Sequence, residues 1–332
     1  MKPRIIGTGW AVPETIRRND DPIFDWLRAN HPAASNFFDG YDARHVLKPG
    51  EGLIDIMLPA AQMALKTAGK KPEDIDLLLG LGSISEYVQP NMLSQLHNKL
   101  GLPENCWVIP IGNDYSNYGS CLLLADGLLR AKRAKNILIC IGGNWTTNVD
   151  YKTPQSVSAA DGAGAAVMSL SSDKAKFRVK DHYTVTASEN YGQMFTKGLP
   201  LENYAGKGQG RAFSPGFFQI TEQGLKEFQT FGMEKSITSV TKLLENNGLN
   251  GSDISFMPHQ TSKSLMDYWN TRLTPEPAQT LSTLSTFANL TVATHALNFA
   301  FFEEQAAISK DYLVMMALGP DMHANAMLLK RG

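Results

Sequence analysis

Apolar positions along the chain fall into two alternating patterns, one spaced for helices and one continuous enough for buried strands. Leu53 to Thr67 is apolar at helical spacing and stops at Gly69, a residue type that closes helices because it accepts a left-handed backbone. Asn91 to Leu100 repeats that arrangement and stops at Gly101, and Tyr118 to Ala131 is a third, more strongly apolar helix. Short apolar runs lie between them: Ile5 to Gly9, Ile75 to Gly80, and Asn136 to Gly142 directly after the third helix. Compact runs of this kind, bounded by polar residues and glycines, predict buried strands. Alternation of the two patterns predicts a layered α/β fold. From Tyr183 to Gln219 the chain is rich in Gly, Tyr, Phe and Pro and has no clear period, which predicts loops packed over a site.

The second half repeats the plan of the first. Lys66-Thr67-Ala68-Gly69 is followed by Asp74-Ile75-Asp76 and a strand, while Glu245-Asn246-Asn247-Gly248 is followed at the same distance by Asp253-Ile254-Ser255 and a strand. Each half then closes on another strand, Ile137 to Gly142 in one and Tyr312 to Gly319 in the other. The matching phrases predict an internal duplication, with residues 1–170 as one half and residues 171–332 as the other. Two such halves pack about a pseudo-two-fold axis, which puts a site between them.

Composition narrows the class. A chain of 332 residues with 43% hydrophobic and 19% charged residues can bury a large core, and a net charge of -1 gives no electrostatic reason to bind nucleic acid or an anionic membrane. No apolar run is long enough to span a bilayer. Cys106, Cys121 and Cys140 form no metal-ligand spacing and read as buried thiols; their odd number, with no signal peptide in view, predicts a reducing, cytoplasmic setting.

Three stretches carry candidate chemistry. Pro258-His259-Gln260 follows the strand Ile254 to Met257, and a histidine at the C-terminal end of a buried strand stands where α/β sheets bind ligands. Its ring can move a proton or donate to a developing oxyanion, or it can be a hydrogen-bonded core histidine. Asn289, in Phe287-Ala288-Asn289-Leu290-Thr291 before the apolar helix Val292 to Phe302, reads either as a helix cap or as an amide donor to a carbonyl oxygen. Asp161-Gly162-Ala163-Gly164-Ala165-Ala166, before an apolar strand, lacks the strand–helix context of a dinucleotide fingerprint, and its small side chains predict close backbone approach. His295 and His323 read as structural.

Taken in this order and at these separations, the Asp161–Ala166 run, Pro258-His259-Gln260 and Asn289 resemble β-ketoacyl-ACP synthase III of the thiolase superfamily. Gly40-Tyr41-Asp42-Ala43-Arg44 and Pro72-Glu73-Asp74-Ile75-Asp76 extend the likeness to nearly the whole chain. The resemblance implies a thiolase-like fold, five-layered αβαβα from two duplicated halves, and a dimer, either a homodimer or a heterodimer with a related ketosynthase. It implies an acyltransferase acting on thioesters of acyl carrier protein or coenzyme A, with no permanently bound cofactor, in polyketide or fatty-acid-derived metabolism. A catalytically silent subunit that partners an active homologue is the alternative.

In that family a cysteine at the start of a buried helix takes the acyl group, and a histidine and an asparagine polarise a second thioester. His259 and Asn289 fall on the latter two positions. Counting back from Ala125-Asp126-Gly127-Leu128-Leu129-Arg130-Ala131, the cysteine position falls on Tyr115, with Ser116 next to it. Cys121 lies well inside the helix, where a thiolate would be desolvated and inert. Three readings follow: Ser116 is an oxygen nucleophile activated by His259 and the helix dipole, Tyr115 fills the acyl tunnel, or His259 and Asn289 only polarise a thioester. Around Asn36-Phe37-Phe38-Asp39 there are aromatics but not the arginine that grips coenzyme A in the family, and Gly319-Pro320-Asp321-Met322 departs from its glycine-rich phrase near the nucleophile.

Overall fold

A computed structural model describes residues 1–31, 33–87, 89–196, 199–200, 213–214 and 216–332. Five strands from the first part of the chain form one sheet: β1 (Lys2–Ala11), β2 (Leu77–Ser83), β3 (Trp107–Pro110), β4 (Asn136–Asn144) and β5 (Asp161–Ser171), in the order β1-β5-β4-β2-β3. A second sheet is built from β6 (Arg178–Thr186), β7 (Ile254–Met257), β8 (Gln279–Thr280), β9 (Tyr312–Leu318) and β10 (His323–Lys330), in the order β6-β10-β9-β7-β8. The two orders correspond strand for strand. In each, the first two pairings are antiparallel and the last two parallel.

Helices complete five layers. On the outer face of the first sheet lie α1 (Leu53–Ala68), against β1, β4 and β5, and α2 (Leu93–Leu100), against β2 and β3. Between the sheets run α3 (Asn117–Arg130), touching strands of both, and α7 (Thr294–Glu304), packed on β1 and β5. The outer face of the second sheet is covered by α5 (Ser236–Asn246); α4 (Glu222–Thr230) runs into it through a π turn, Phe231–Lys235, against which α6 (Lys263–Arg272) also packs. This is the five-layered αβαβα thiolase-like architecture that the resemblance implies.

Layer position explains how each helix reads in sequence. In α1 the buried residues Leu53, Ile56, Met57, Ala60, Ala61, Ala64 and Leu65 make one stripe, as an outer helix requires. The helix stops at Gly69 (φ 61°), whose N–H closes the last turn on the carbonyls of Leu65 and Lys66. By contrast, Thr294 through Ala300 of α7 are all buried, because sheet or helix meets every face. The Asp161–Ala166 run lies within strand β5 and not before it. A Cβ on Gly164 would sit 2.2 Å from the backbone of Ala296 and Leu297, so the missing side chain lets α7 lie directly on the sheet. Asp161 is buried at the strand's start. Its carboxylate accepts the N–H groups of Leu47 (2.8 Å) and Thr146 (3.0 Å), and burial raises its pKa to about 6.

The expected loop region from Tyr183 to Gln219 contains the end of β6 and a short strand, Met194–Thr196, paired with Phe218–Ile220; residues 197–198, 201–212 and 215 lie outside the described residues. Among the described residues no helix is long and apolar enough to cross a membrane, and no group of three or more His, Cys, Asp or Glu is placed to hold a metal ion.

Candidate active site

The parallel strands β7, β8 and β9 end together at one edge of the second sheet, and the chain leaves β7 there through Pro258-His259-Gln260. Gln260 is fully buried and works as a brace. Its Oε1 accepts from Thr283 N–H (2.7 Å), Ser282 Oγ (3.1 Å) and Asn298 Nδ2 (2.8 Å), while its Nε2 donates to Thr283 Oγ1 and to Ala288 O, both at 3.2 Å. The last of these bonds ties the His259 turn to the residue before Asn289, so one amide sets the spacing between the two candidate groups.

Asn289 is fixed from both sides. Its backbone N–H donates to Ser158 O (2.9 Å), and its Oδ1 accepts the N–H of Thr291 (2.9 Å). The cap reading is met by the oxygen, and among the described residues the Nδ2 end is not engaged in a side-chain hydrogen bond. Ala288 (φ 53°) and Thr291 (φ 50°), on either side, adopt left-handed backbone that non-glycine residues avoid. The same signature recurs at Asp114 (φ 41°), before Tyr115, and at Met322 (φ 58°), before His323. Backbone of this kind is kept where surrounding structure over-determines it, commonly around a site.

His259 is 1% exposed, and neither ring nitrogen has a hydrogen-bond partner among the described residues. No described residue holds the ring by a hydrogen bond as a structural core histidine would be held. Burial first, then the nearby His295 and His323, lowers its pKa to about 3, so the ring is neutral at physiological pH. The Tyr115 ring lies almost parallel to it, with centroids 5.2 Å apart and planes 15° apart, and the His295 ring lies at 6.5 Å. Burial raises the Tyr115 pKa, which keeps the phenol protonated.

Tyr115, His259 and Asn289 line one cavity of about 380 Å³. A second cavity of about 660 Å³ shares Tyr115, Trp145, Met194, Phe218 and Pro320 with the first, so Tyr115 stands in the partition. Ser116 lines neither. Its Oγ lies 2.6 Å from His323 Nε2, and the other ring nitrogen of His323 is bonded to the Asp321 carboxylate. A 3₁₀ turn, Asp114–Ser116, sets this division just before α3, turning the phenol to the cavities and the hydroxyl to the second sheet.

The remaining candidates are framework or boundary. Arg44 is fully buried among the rings of Phe24, Phe38 and Tyr41, and its Nε donates to Val157 O (2.5 Å) on the cavity wall. Cys121 and Cys140 are fully buried, and desolvation raises both thiol pKa values. At the cavity mouth, Asn36, Phe37 and Asp39 are joined by Lys263, whose ammonium is 2.6 Å from Asp267. Sequence reasoning passed over Gln260 as a brace and took His323 as structural. The available signal is a carboxylate two residues before a histidine in the turn that leads into β10.

Comparison with known proteins agrees with this framework. The sequence model of 3-oxoacyl-[acyl-carrier-protein] synthase III matches residues 116–186, and that of its C-terminal part matches residues 244–331. The β-ketoacyl-[acyl-carrier-protein] synthase III of Rickettsia akari is 25% identical over 99% of this chain and 100% of its own length. Among solved structures, 3-oxoacyl-[acyl-carrier-protein] synthase III from Aquifex aeolicus superposes with a TM-score of 0.81 at 20% identity, over 99% of each chain. The priming β-ketosynthase of a polyketide biosynthetic pathway gives 0.84 at 19% identity, over 99% of this chain and 96% of that one. The chain therefore carries partial sequence matches to 3-oxoacyl-[acyl-carrier-protein] synthase III, is similar to such synthases along nearly its whole length, and shares their fold.

Proposed function

We propose that this protein is an acyltransferase that works on acyl thioesters of acyl carrier protein or coenzyme A without a cysteine nucleophile, in polyketide or fatty-acid-derived metabolism. One observation carries the reading: among the described residues, a neutral histidine with unpartnered nitrogens lines one cavity together with Asn289 and the phenol of Tyr115, the residue on which the family's thiol position falls by count along the sequence. A thioester oxygen placed between His259 and Asn289 Nδ2 receives two neutral hydrogen bonds that strengthen as negative charge develops on it. Such pre-oriented donors, shielded from water, are worth roughly a hundredfold or more each in rate. The raised pKa of Tyr115 makes it a hydrogen-bond donor and a wall, not a nucleophile. The acyl group then passes directly to an acceptor, or stops first on an oxygen of the protein.

Stacking of Tyr115 over His259 also favours a second reading, a silent subunit whose tunnel is filled and which serves a related ketosynthase. The two separate on one experiment, in which the chain alone is incubated with acetyl, malonyl and longer acyl thioesters of both carriers and the released thiol is measured. Turnover by the isolated chain supports the acyltransferase. No release from any carrier alone, with activity only beside a cysteine-containing homologue that co-purifies with it, establishes the silent subunit instead. Lys263 being held by Asp267, we expect carrier-protein thioesters to be preferred over coenzyme A thioesters.

A further inference from the structure

The most developed polar constellation outside the His259–Asn289 pair is the one behind Tyr115. Ser116 Oγ is 2.6 Å from His323 Nε2, and His323 Nδ1 is bonded to Asp321 Oδ1. A hydroxyl, an imidazole and a carboxylate in this order form the arrangement in which the base removes the hydroxyl proton and the acid holds the base in the required tautomer. The fold holds each member in place. Ser116 is the N-cap of α3, a helix of 14 residues, where the helix dipole favours negative charge. His323 opens β10 beyond the tight turn from Gly319. A Cβ on Gly319 would lie 2.1 Å from the His323 ring, so only glycine leaves room for the imidazole there. Asp321 is 44% exposed and reaches the wall of the 660 Å³ cavity, as does Asp114.

The hydroxyl itself is shut in. Ser116 is 1% exposed and lines a cavity of about 10 Å³, too small for a carbonyl group, and neither of the two large ones. Among the described residues, Tyr115 is the one side chain that lines this small cavity and both large ones. Its ring is therefore the partition that separates Ser116 from the space where an acyl group would lie.

We propose that Ser116, His323 and Asp321 form a serine acyl-transfer triad gated by the Tyr115 ring, which takes the acyl group as an oxygen ester when that ring swings aside. The proposal rests on the acyl-thioester reading for its substrate and assigns the base to His323 in place of His259. Ser116 Oγ bonds to the thioester carbonyl carbon as its proton passes to His323 Nε2. Collapse of the tetrahedral adduct breaks the carbon–sulfur bond, and the imidazolium returns that proton to the departing thiolate. The ester is resolved by the same steps in reverse, with an alcohol, amine or water as acceptor and His323 taking its proton. Asp321 acts through His323 and is a positioning residue.

An alkyl fluorophosphonate probes the triad without needing the thioester site, since it labels serines activated in this way. Labelling is followed by intact mass, and the modified residue is located by fragmenting the peptide that contains Asn113 to Leu124. We expect the adduct on Ser116, slow in the parent protein and at least about tenfold faster in Tyr115→Ala and in the milder Tyr115→Leu. His323→Gln should slow it by roughly a hundredfold, as removal of a general base does. Asp321→Asn should slow it and Asp321→Glu should recover it, which a purely structural carboxylate would not do. His259→Ala removes the ring stacked on Tyr115 and should not slow the labelling even where thioester turnover is lost, so failure of the triad and failure of the thioester reading give different results. The proposal is overturned if folded Tyr115→Ala and Tyr115→Leu take no label on Ser116, or if His323→Gln labels at the parent rate.

Discussion

Acidification should destabilise this fold through two histidines that the layers bury in neutral form. His259 is lowered to about 3, by burial first and then by His295 and His323, and His295 is lowered to about 4 by burial, which outweighs its contacts with the carbonyls of Met257 and Met316. Both lie below the ordinary histidine value of about 6.5. As the pH falls from about 6.5 towards 4, the unfolded chain therefore takes up protons that the folded one refuses, and stability is lost. At roughly 1.4 kcal/mol per pH unit, going from pH 7 to pH 4 costs about 3 kcal/mol at each histidine. Asp161 works the other way. Burial raises it to about 6, so the folded state keeps a proton between about 6 and 4 that the unfolded carboxyl releases. That contribution returns about 2 to 3 kcal/mol over the same interval, leaving a net loss of about 3 kcal/mol. Urea unfolding at pH 7 and pH 4 measures it. In His259→Phe one of the two histidine contributions disappears, so the loss of stability between pH 7 and pH 4 should shrink by about 3 kcal/mol relative to the parent protein. Equal stability of the parent protein at both values, or a variant as acid-sensitive as the parent, would refute the reasoning.

Other consequences follow from the packing. Gln260→Ala strips the acceptor from Thr283 N–H and Asn298 Nδ2 and frees Ala288 O, so it should cost about 3 kcal/mol in urea unfolding and lower kcat more than it raises KM. Gly164→Ala puts a methyl group into the backbone of α7 and should destabilise the fold by roughly 2 to 4 kcal/mol, read as a drop in Tm. Iodoacetamide should leave Cys121 and Cys140 unmodified in the folded protein and modify both in urea, because both thiols are fully buried and held protonated.

What the sequence reveals of this fold depends on where each element lies in the layers. Outer helices such as α1 show a stripe and a glycine stop, and their bounds are legible to within a residue or so. The helix expected at Val292 to Phe302 begins as a 3₁₀ turn, Thr291–Ala293, and becomes α7 only at Thr294. It is buried on every face over its first two turns, so no amphipathic period marks its start. His259 is legible because a polar ring follows a buried, largely apolar strand, whereas Asn289 stands out only through the family resemblance. The roles of Tyr115 and Ser116 were beyond sequence reasoning for a geometric reason. They are neighbours on a tight turn, and about a hundred degrees of rotation decides which one faces the cavity. The pairing of Ser116 with His323, across 207 positions of chain and between the two halves, follows from sheet register and leaves no local pattern.

The central claim is that His259 and Asn289 together activate a thioester carbonyl at a site with no thiol nucleophile. Its most direct test is the rate of thiol release from the preferred acyl thioester by the parent protein, His259→Ala, Asn289→Ala and the double variant. Each single change should lower kcat by roughly a hundredfold, and the double change should be far less harmful than the product of the two, because both groups serve one oxygen. Turnover at the parent rate in either single variant would contradict the account.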